Sequence, residues 1–112
     1  MDIKTLQTKS CRDVKESKLK SVEVDEFAKL FTNWGFDQEG RFISNFEFDD
    51  FQQTVDFLNT VAKLAEEQGH HPDLMIYNYN NLLVMLYTHS IDGITEKDFI
   101  MAAKIEDLLS QR

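Results

Sequence analysis

The sequence has one cysteine, one proline and four glycines among its 112 residues. A single thiol, Cys11, cannot form an intrachain disulfide, so nothing indicates an oxidising compartment, and we expect Cys11 to be a surface thiol rather than a nucleophile. The longest apolar run, Leu82 to Tyr87, is too short to cross a bilayer, and the N-terminus lacks a signal-peptide pattern. We therefore expect a soluble, cytoplasmic protein with no membrane partner.

Positive charge is also scarce, with 12 Lys and Arg against 20 Asp and Glu and a formal charge of −8. Affinity for nucleic acid arises chiefly from cations that neutralise phosphates, so direct nucleic-acid binding is not expected. The hydrophobic share of 42% is ordinary for one small core. The length indicates a single domain that needs neither disulfides nor structural metal to fold.

The first part of the chain changes character near residue 20. Residues 1–20 carry few apolar residues among many charged ones, so we expect a mobile or loosely docked arm before a folded domain at residues 21–112. Helical apolar spacing runs from Val22 to Thr32, and a turn at Gly40 then predicts a β-hairpin. The second strand of that hairpin should bury one row of aromatic residues, which are Phe42, Phe46 and Phe48.

A long helix is expected after this hairpin. Asp49 and Gln52 resemble a helix-start box, and Gly69 is a suitable C-terminal stop. The predicted core face of the helix consists of Phe51, Val55, Leu58, Ala62 and Ala65.

A second hairpin is expected from Leu74 to Thr88, with its turn at Asn80-Asn81. Its second strand is apolar at both parities, whereas a sheet with one wet face would alternate, so we expect a second subunit to cover the outer positions. A last helix, capped by Thr95 and Asp98, completes the order α-β-β-α-β-β-α. That order predicts an α+β fold, a four-stranded antiparallel sheet with helices packed on one face.

The three histidines, His70, His71 and His89, are the most informative polar residues. Imidazole exchanges protons near neutral pH, so three in one small domain could form a proton-transfer site, or they could be solvated loop residues. A three-histidine zinc site is a weaker interpretation, because adjacent residues in extended backbone point opposite ways and no HxxxH or CxxC spacing occurs. A metal site therefore ranks well below acid/base chemistry, and the sequence contains no Gly-rich phosphate site.

These residues carry a family resemblance. The run from Ala65 to Asp73 (AEEQGHHPD), then Tyr79, the run Tyr87-Thr88-His89 and the run from Gly93 to Asp98 (GITEKD) closely resemble the pterin-4a-carbinolamine dehydratase family. Trp34 before the first hairpin and Phe46-Glu47-Phe48 before the long helix also match. The loop after His89 departs from the common family pattern. The segment between Pro72 and Tyr79 is one residue longer than usual, so Tyr77 could stand in for Tyr79.

The resemblance implies dehydration of 4a-hydroxytetrahydrobiopterin to quinonoid dihydropterin and water, as part of tetrahydrobiopterin recycling for aromatic amino acid hydroxylases. It assigns His70 and His89 to acid/base work at the 4a-hydroxyl and gives His71 the task of holding the pterin, with a share in proton transfer left open. Neither a cofactor nor a metal is implied, because no electrons move in a dehydration.

The resemblance also implies residues that bind or orient the substrate, and these are Glu66, Asp98, Tyr79, Trp34, Pro72 and Thr88. Each has an alternative interpretation. Asp98 could orient a histidine or only complete the cap with Thr95, and Glu66 could polarise His70 or belong to a solvated helix face. Pro72 is better explained as the end of the helix, and Trp34 as a core residue.

Partners are implied in the same way. Members of the family assemble as homodimers or homotetramers, and an aromatic amino acid hydroxylase is a possible further partner. Some relatives also bind a homeodomain transcription factor as dimerisation cofactors, so a transcriptional coactivator is the alternative function. A regulator of a hydroxylase is a third one. Replacing the histidines would leave a pure binding function intact.

Overall fold

The computed structural model describes residues 1–112 and contains four α-helices, four β-strands and two short 3₁₀ helices. The α-helices are α1 Ile3–Thr8, α2 Ser21–Ala28, α3 Phe51–Gln68 and α4 Glu96–Ser110. The strands are β1 Gly35–Phe36, β2 Phe42–Glu47, β3 Asp73–Tyr77 and β4 Asn81–Leu86. The 3₁₀ helices are Cys11–Asp13 and His89–Ile91. All strand pairs are antiparallel in the order β1-β2-β4-β3, which confirms the predicted α+β class and sheet.

The inner face of the sheet is the aromatic row predicted for β2. Phe42, Phe46 and Phe48 are all buried, and the first two pair with Leu86 and Leu82 of β4. Both long helices pack on this face. The ring of Phe57 from α3 lies 5.8 Å from that of Phe46, and the ring of Phe99 from α4 lies 4.8 Å from that of Phe42. Burial of these large rings on one side of the sheet contributes to the hydrophobic core, together with aliphatic residues such as Val61, Leu82 and Ile105.

Helix α3 begins one residue later than predicted and is rotated about its axis relative to the prediction, so that it buries a different face. Asp50, not Asp49, is the N-cap, and its carboxylate accepts a hydrogen bond from the backbone N–H of Gln53 at 2.8 Å. The buried residues of α3 are Thr54, Phe57, Val61 and Ala65. Phe51, placed in the core by the sequence analysis, is 54% exposed. The prediction omitted Thr54 because it is polar, but its hydroxyl donates to the Asp50 carbonyl and can therefore be buried.

The end of α3 is as predicted. Gly69 has a φ of 65°, the left-handed conformation, and its N–H donates to the Ala65 carbonyl at 2.9 Å. This C-cap turns the chain sharply, so that His70 and His71 lie between the helix and β3.

The turn of the second hairpin comes earlier than predicted. Tyr77 pairs with Asn81, and the turn is formed by Asn78, Tyr79 and Asn80. Asn78 and Tyr79 have positive φ values of 48° and 57°. Asn tolerates this conformation better than Tyr does. The adjacent pair Asn80-Asn81 was therefore predicted as the turn, which is two residues after the observed start at Asn78. Tyr79 therefore stands at an exposed turn rather than in a strand.

The N-terminal arm, residues 1–20, has more contacts with the domain than the sequence analysis expected. Leu6 and Cys11 are fully buried within the main core, so the prediction of a surface thiol at Cys11 is wrong. The Gln7 side chain donates to the Ala103 carbonyl at 3.0 Å, and Lys9 pairs with Glu96 at 2.6 Å. The composition of the arm misled the prediction, because two buried apolar side chains, Leu6 on α1 and Cys11 on the 3₁₀ helix Cys11–Asp13, are enough to anchor it against α4.

The outer face of the sheet carries no helix. Leu83 and Tyr87 are half-buried there, and Met75 is 47% exposed. Met85, the third outer position that suggested a second subunit, is only 9% exposed, so the apolar outer face is open only in part. No helix of the chain is long and apolar enough to cross a membrane.

Candidate active site

The candidate site begins with a buried pair formed by His70 and Asp98. Gly69 ends α3 and brings His70 to the first turn of α4, where Asp98 lies. The His70 Nε2 and Asp98 Oδ1 atoms are 2.7 Å apart, and the residues are 8% and 0% exposed. A buried carboxylate is costly unless it is hydrogen-bonded, so the number of donors around Asp98 determines what it can do.

Asp98 is surrounded by donors. Its Oδ2 atom accepts from the Thr88 hydroxyl at 2.8 Å and from the Thr95 backbone N–H at 2.9 Å. The Thr95 bond is the predicted capping box, and the His70 bond is the contact that the expected orienting role requires, so Asp98 makes both contacts. An ionised carboxylate can only accept, and therefore the Nε2 atom of His70 carries a proton. The other ring nitrogen, Nδ1, is then the nitrogen that can accept a proton.

Thr88 is a buried hydrogen-bond partner of Asp98 in this arrangement. It is 2% exposed, and its hydroxyl lies 2.9 Å from that of Thr95 as well as donating to Asp98. The Thr88 N–H also donates to the Gly93 carbonyl at 2.9 Å, which closes the loop that carries His89. Thr88 thus connects the carboxylate to this loop.

His71 forms a second histidine–carboxylate pair, which is exposed. Its Nε2 atom lies 2.5 Å from Glu66 Oε2, and both side chains are more than half exposed. Glu66 therefore contacts His71 rather than His70, and its side chain, 77% exposed, lies on the solvated helix face that was the alternative interpretation. Pro72 follows His71, is half-buried and leads directly into β3, which fits its expected role in setting the loop. Because solvent screens this pair, it adds little to stability, and its effect is to hold the orientation of the His71 ring.

His89 lies in the loop after β4 and is 67% exposed at its side chain. Its Nε2 atom is 3.7 Å from Asp73 Oδ2, at the start of β3. The ring of Tyr87 meets the His89 ring edge-on, with 5.4 Å between centroids. A hydrogen bond from the Tyr87 hydroxyl to Asp92 raises the pKa of Tyr87, so this hydroxyl stays protonated at neutral pH.

Tyr87 and Asp73 were not among the predicted site residues. The signal for Tyr87 was present, because residues two apart in extended backbone share a side of the strand, and Tyr87 is two before His89. Asp73 follows directly after the His71-Pro72 pair. Its position opposite His89 depends on the pairing of β3 with β4, which aligns Asp73 with Met85.

Two predicted substrate-contacting residues lie elsewhere. Trp34 precedes β1, at the sheet edge opposite β3, and its ring stacks on Phe42 at 5.2 Å. Its indole N–H donates to Glu106 at 2.7 Å, which is the pattern of a core residue with one satisfied polar atom. Tyr79 is at the hairpin turn, at the other end of β3 from His71. Tyr77, the proposed substitute, donates its hydroxyl to Asn45 at 2.7 Å.

The three histidines form an open site on the single chain. None of them lines a cleft, although Tyr87 borders one of about 420 Å³ together with Lys18, Phe36 and Ile94. No group of three or more His, Cys, Asp or Glu side chains is arranged to hold a metal ion. The geometry is suited to moving protons, because one buried imidazole bonded to a carboxylate is followed directly by an exposed one at His71, and the third, at His89, lies 3.7 Å from Asp73, two residues after His71.

Fold and site together define a small α+β protein with a histidine–carboxylate centre at one end of an antiparallel sheet. The family model for Pterin 4 alpha carbinolamine dehydratase matches residues 17–108. The chain belongs to this pterin-4-alpha-carbinolamine dehydratase family, as the sequence resemblance indicated.

Curated relatives agree with the family assignment. A protein of Rickettsia bellii, provisionally named pterin-4-alpha-carbinolamine dehydratase, is 42% identical over 79% of this chain and 78% of its own length. A provisionally named dehydratase of Rubrobacter xylanophilus is 39% identical over 80% of this chain and 83% of its own length. The mitochondrial pterin-4-alpha-carbinolamine dehydratase 2 of Arabidopsis thaliana is 50% identical, but over only 52% of this chain and 31% of its own length.

Solved structures share the fold. A transcriptional coactivator/pterin dehydratase from Brucella melitensis has a TM-score of 0.76 and 32% identity, covering 82% of this chain and 98% of its own. A pterin dehydratase-like protein described as a RuBisCO assembly factor in the alpha-carboxysome has a TM-score of 0.56 and 24% identity, covering 69% of this chain and 89% of its own. The second likeness shows the fold alone.

Proposed function

We propose that the chain dehydrates 4a-hydroxytetrahydrobiopterin to quinonoid dihydropterin and water, using its three histidines and no cofactor. The observation that carries this proposal is the buried contact of His70 with Asp98 at 2.7 Å, within a family defined by this dehydration. A buried carboxylate that fixes one nitrogen of an imidazole prepares the other nitrogen for proton transfer.

The reaction requires two proton movements. The bond between carbon 4a and its hydroxyl oxygen breaks, and the oxygen leaves as water after it receives a proton. The neighbouring ring N–H loses its proton as the carbon–nitrogen double bond forms. One protonated and one neutral imidazole can make both transfers. After the reaction the first imidazole is neutral and the second is protonated, so a proton passes back from the second to the first before the next turnover.

We assign these two transfers to His70, through its Nδ1 atom, and to His89. His71, whose ring is held by Glu66, contacts the pterin ring system and orients it. Asp98 and Thr88 are positioning residues because they act through His70. Which of His70 and His89 is the acid is decided by the pH profiles of kcat for the two single alanine variants.

The test follows the decay of 4a-hydroxytetrahydrobiopterin, generated in place by a phenylalanine hydroxylase, through its ultraviolet absorbance. We expect wild type to accelerate the decay, and His70→Ala and His89→Ala each to lower kcat about 10²–10⁴-fold, the usual contribution of one acid or base. Asn59→Ala, an exposed change on α3, is the control and should match wild type. A folded wild type that gives no acceleration contradicts the proposal.

A role in tetrahydrobiopterin recycling for aromatic amino acid hydroxylases is part of the same proposal. The substrate is short-lived and is made by such hydroxylases, so a hydroxylase is the expected neighbour in the cell. Addition of the chain to a coupled hydroxylase reaction should raise the yield of recycled pterin only when His70 and His89 are intact.

A second candidate function is protein binding as a transcriptional coactivator. The Brucella melitensis neighbour carries both descriptions, and the open sheet face exposes Met75 at 47% and Tyr77 at 42%. The same face could hold a second copy of the chain in a homodimer or homotetramer. Leu83→Glu should separate binding through this face from catalysis by the histidines. It should lower the mass measured by light scattering or the partner binding, whereas His70→Ala should change neither.

A further inference from the structure

Arg12 lies against the end of α3, directly beside the histidine pair. Its Nε atom donates to the Glu67 carbonyl at 2.9 Å and its Nη2 atom to the Glu66 carbonyl at 3.1 Å. These carbonyls belong to the last turn of the helix, where the intrahelical N–H partners are missing. A guanidinium group there satisfies them and has the favourable sign for the negative end of the helix.

The contact continues to Gly69. A Cβ atom on Gly69 would lie 2.9 Å from the Arg12 Cζ atom, so the guanidinium is packed against the backbone of the residue before His70. The backbone N–H of Cys11 donates to the Gln68 side chain at 2.7 Å, which attaches the neighbouring residue of the arm to the same helix end. The last turn of α3 is therefore held from outside by residues 11 and 12.

The same arm reaches the loop of the third histidine. Ser90, next to His89, donates its hydroxyl to Glu16. The Leu19 N–H donates to the Ile94 carbonyl at 2.9 Å, and the Lys18 side chain packs over Gly93, where a Cβ atom would lie 2.7 Å from it. The arm thus joins the two segments that carry the histidines.

We propose that Arg12, in the N-terminal arm, is a positioning residue for His70 and His71. Arg12 holds the helix turn that carries Glu66, the partner of His71, and that ends in Gly69, from which His70 extends towards Asp98. The family match begins at residue 17, so Arg12 lies outside the shared pattern and no resemblance assigns it a role. Only the expected change in kcat rests on the proposed dehydratase function; the positioning of the two histidines does not.

The experiment compares Arg12→Ala, Arg12→Lys and Lys15→Ala in the full chain, below the unfolding temperature of each. Lys15→Ala removes the same charge from an exposed side chain of the same arm and serves as the control. We expect Arg12→Ala to lower kcat about tenfold or more, because small misplacements of reacting groups are costly. Arg12→Lys, which keeps the charge but not the two-atom contact, should recover part of the loss, and Lys15→Ala should match wild type.

A readout without turnover separates this proposal from the dehydratase assignment. The ring ¹⁵N resonances of His70 and His71 should shift or broaden in Arg12→Ala, while those of His89 stay in place. Unchanged histidine resonances and unchanged kcat, with only a lower Tm, would show a helix cap and overturn the proposal. If wild type lacks dehydratase activity but the His70 and His71 resonances still respond, the proposed function fails and the positioning role stands.

Discussion

Replacing Asp98 by asparagine tests whether the buried carboxylate controls His70. The carboxylate accepts from His70 Nε2, the Thr88 hydroxyl and the Thr95 N–H at 2.7, 2.8 and 2.9 Å. Asparagine has nearly the same shape but retains only one acceptor oxygen. If this oxygen serves Thr88 and Thr95, the amide NH₂ group faces the Nε2–H of His70, and two donors then oppose each other.

The magnitude follows from what is lost. A hydrogen bond to a charged group contributes about 1.5–3 kcal/mol, so we expect Asp98→Asn to lower the free energy of unfolding by this amount. Relief of the donor clash drives the proton of His70 from Nε2 to Nδ1, which removes the basic nitrogen from the substrate side. Loss of one acid or base lowers kcat about 10²–10⁴-fold, and KM should change much less.

Two assays measure these effects separately. Urea denaturation gives the change in stability, and the decay of 4a-hydroxytetrahydrobiopterin gives kcat and KM. Asp107→Asn, an exposed carboxylate on the same helix whose side chain bonds only to Gln111, is the matched control and should behave as wild type in both. An Asp98→Asn protein that is folded and retains kcat within a factor of about two would refute the tautomer argument.

Three further changes are predicted. Gly69→Ala forces a side chain into a φ of 65° and against Arg12, so urea denaturation should show a loss of about 1–3 kcal/mol, with kcat reduced as well. Burial raises the pKa of the Cys11 thiol from 9.0 to about 12. Because only the unfolded chain releases this proton above pH 9.0, stability relative to Cys11→Ala should fall by about 1.4 kcal/mol per pH unit above that value. Trp34→Phe removes the bond to Glu106 and should cost about 1 kcal/mol while leaving KM unchanged.

The sequence was sufficient for the fold because its signals were local. Gly69 marks the end of α3 through a requirement of its own backbone, and the row of Phe42, Phe46 and Phe48 defines the inner face of β2 by simple alternation. The rotation of α3 was missed because it depends on where Phe57 meets the sheet, which is a tertiary contact. The docking of the arm was missed for the same reason, since composition does not show that Leu6 fits against α4.

The sequence named candidate site residues but not how they pair. The histidines stood out by residue type and Asp98 by its capping position, and their site roles came from the family resemblance. The contact of Glu66 with His71 was not foreseen. One turn along a helix would bring residues 66 and 70 together only if the helix continued. It ends at Gly69, whose left-handed conformation sends His70 inward to Asp98 and leaves His71 outside with Glu66.

The position of the site follows from the order of the chain. His71 precedes β3 and His89 follows β4, and because these neighbours are antiparallel, the start of one lies beside the end of the other, with Asp73 opposite Met85. A single hairpin therefore brings two histidines from distant positions to one end of the sheet. Thr88 then pairs with Gly93 and closes the loop, so α4 must begin at the same end and present Asp98 from its first turn. Lengthening that loop by one residue between Ser90 and Asp92 would leave the sheet intact but shift His89 relative to Asp98. We expect near-normal stability with a loss of kcat, which would distinguish a requirement for the mutual placement of the histidines from a requirement for their presence alone.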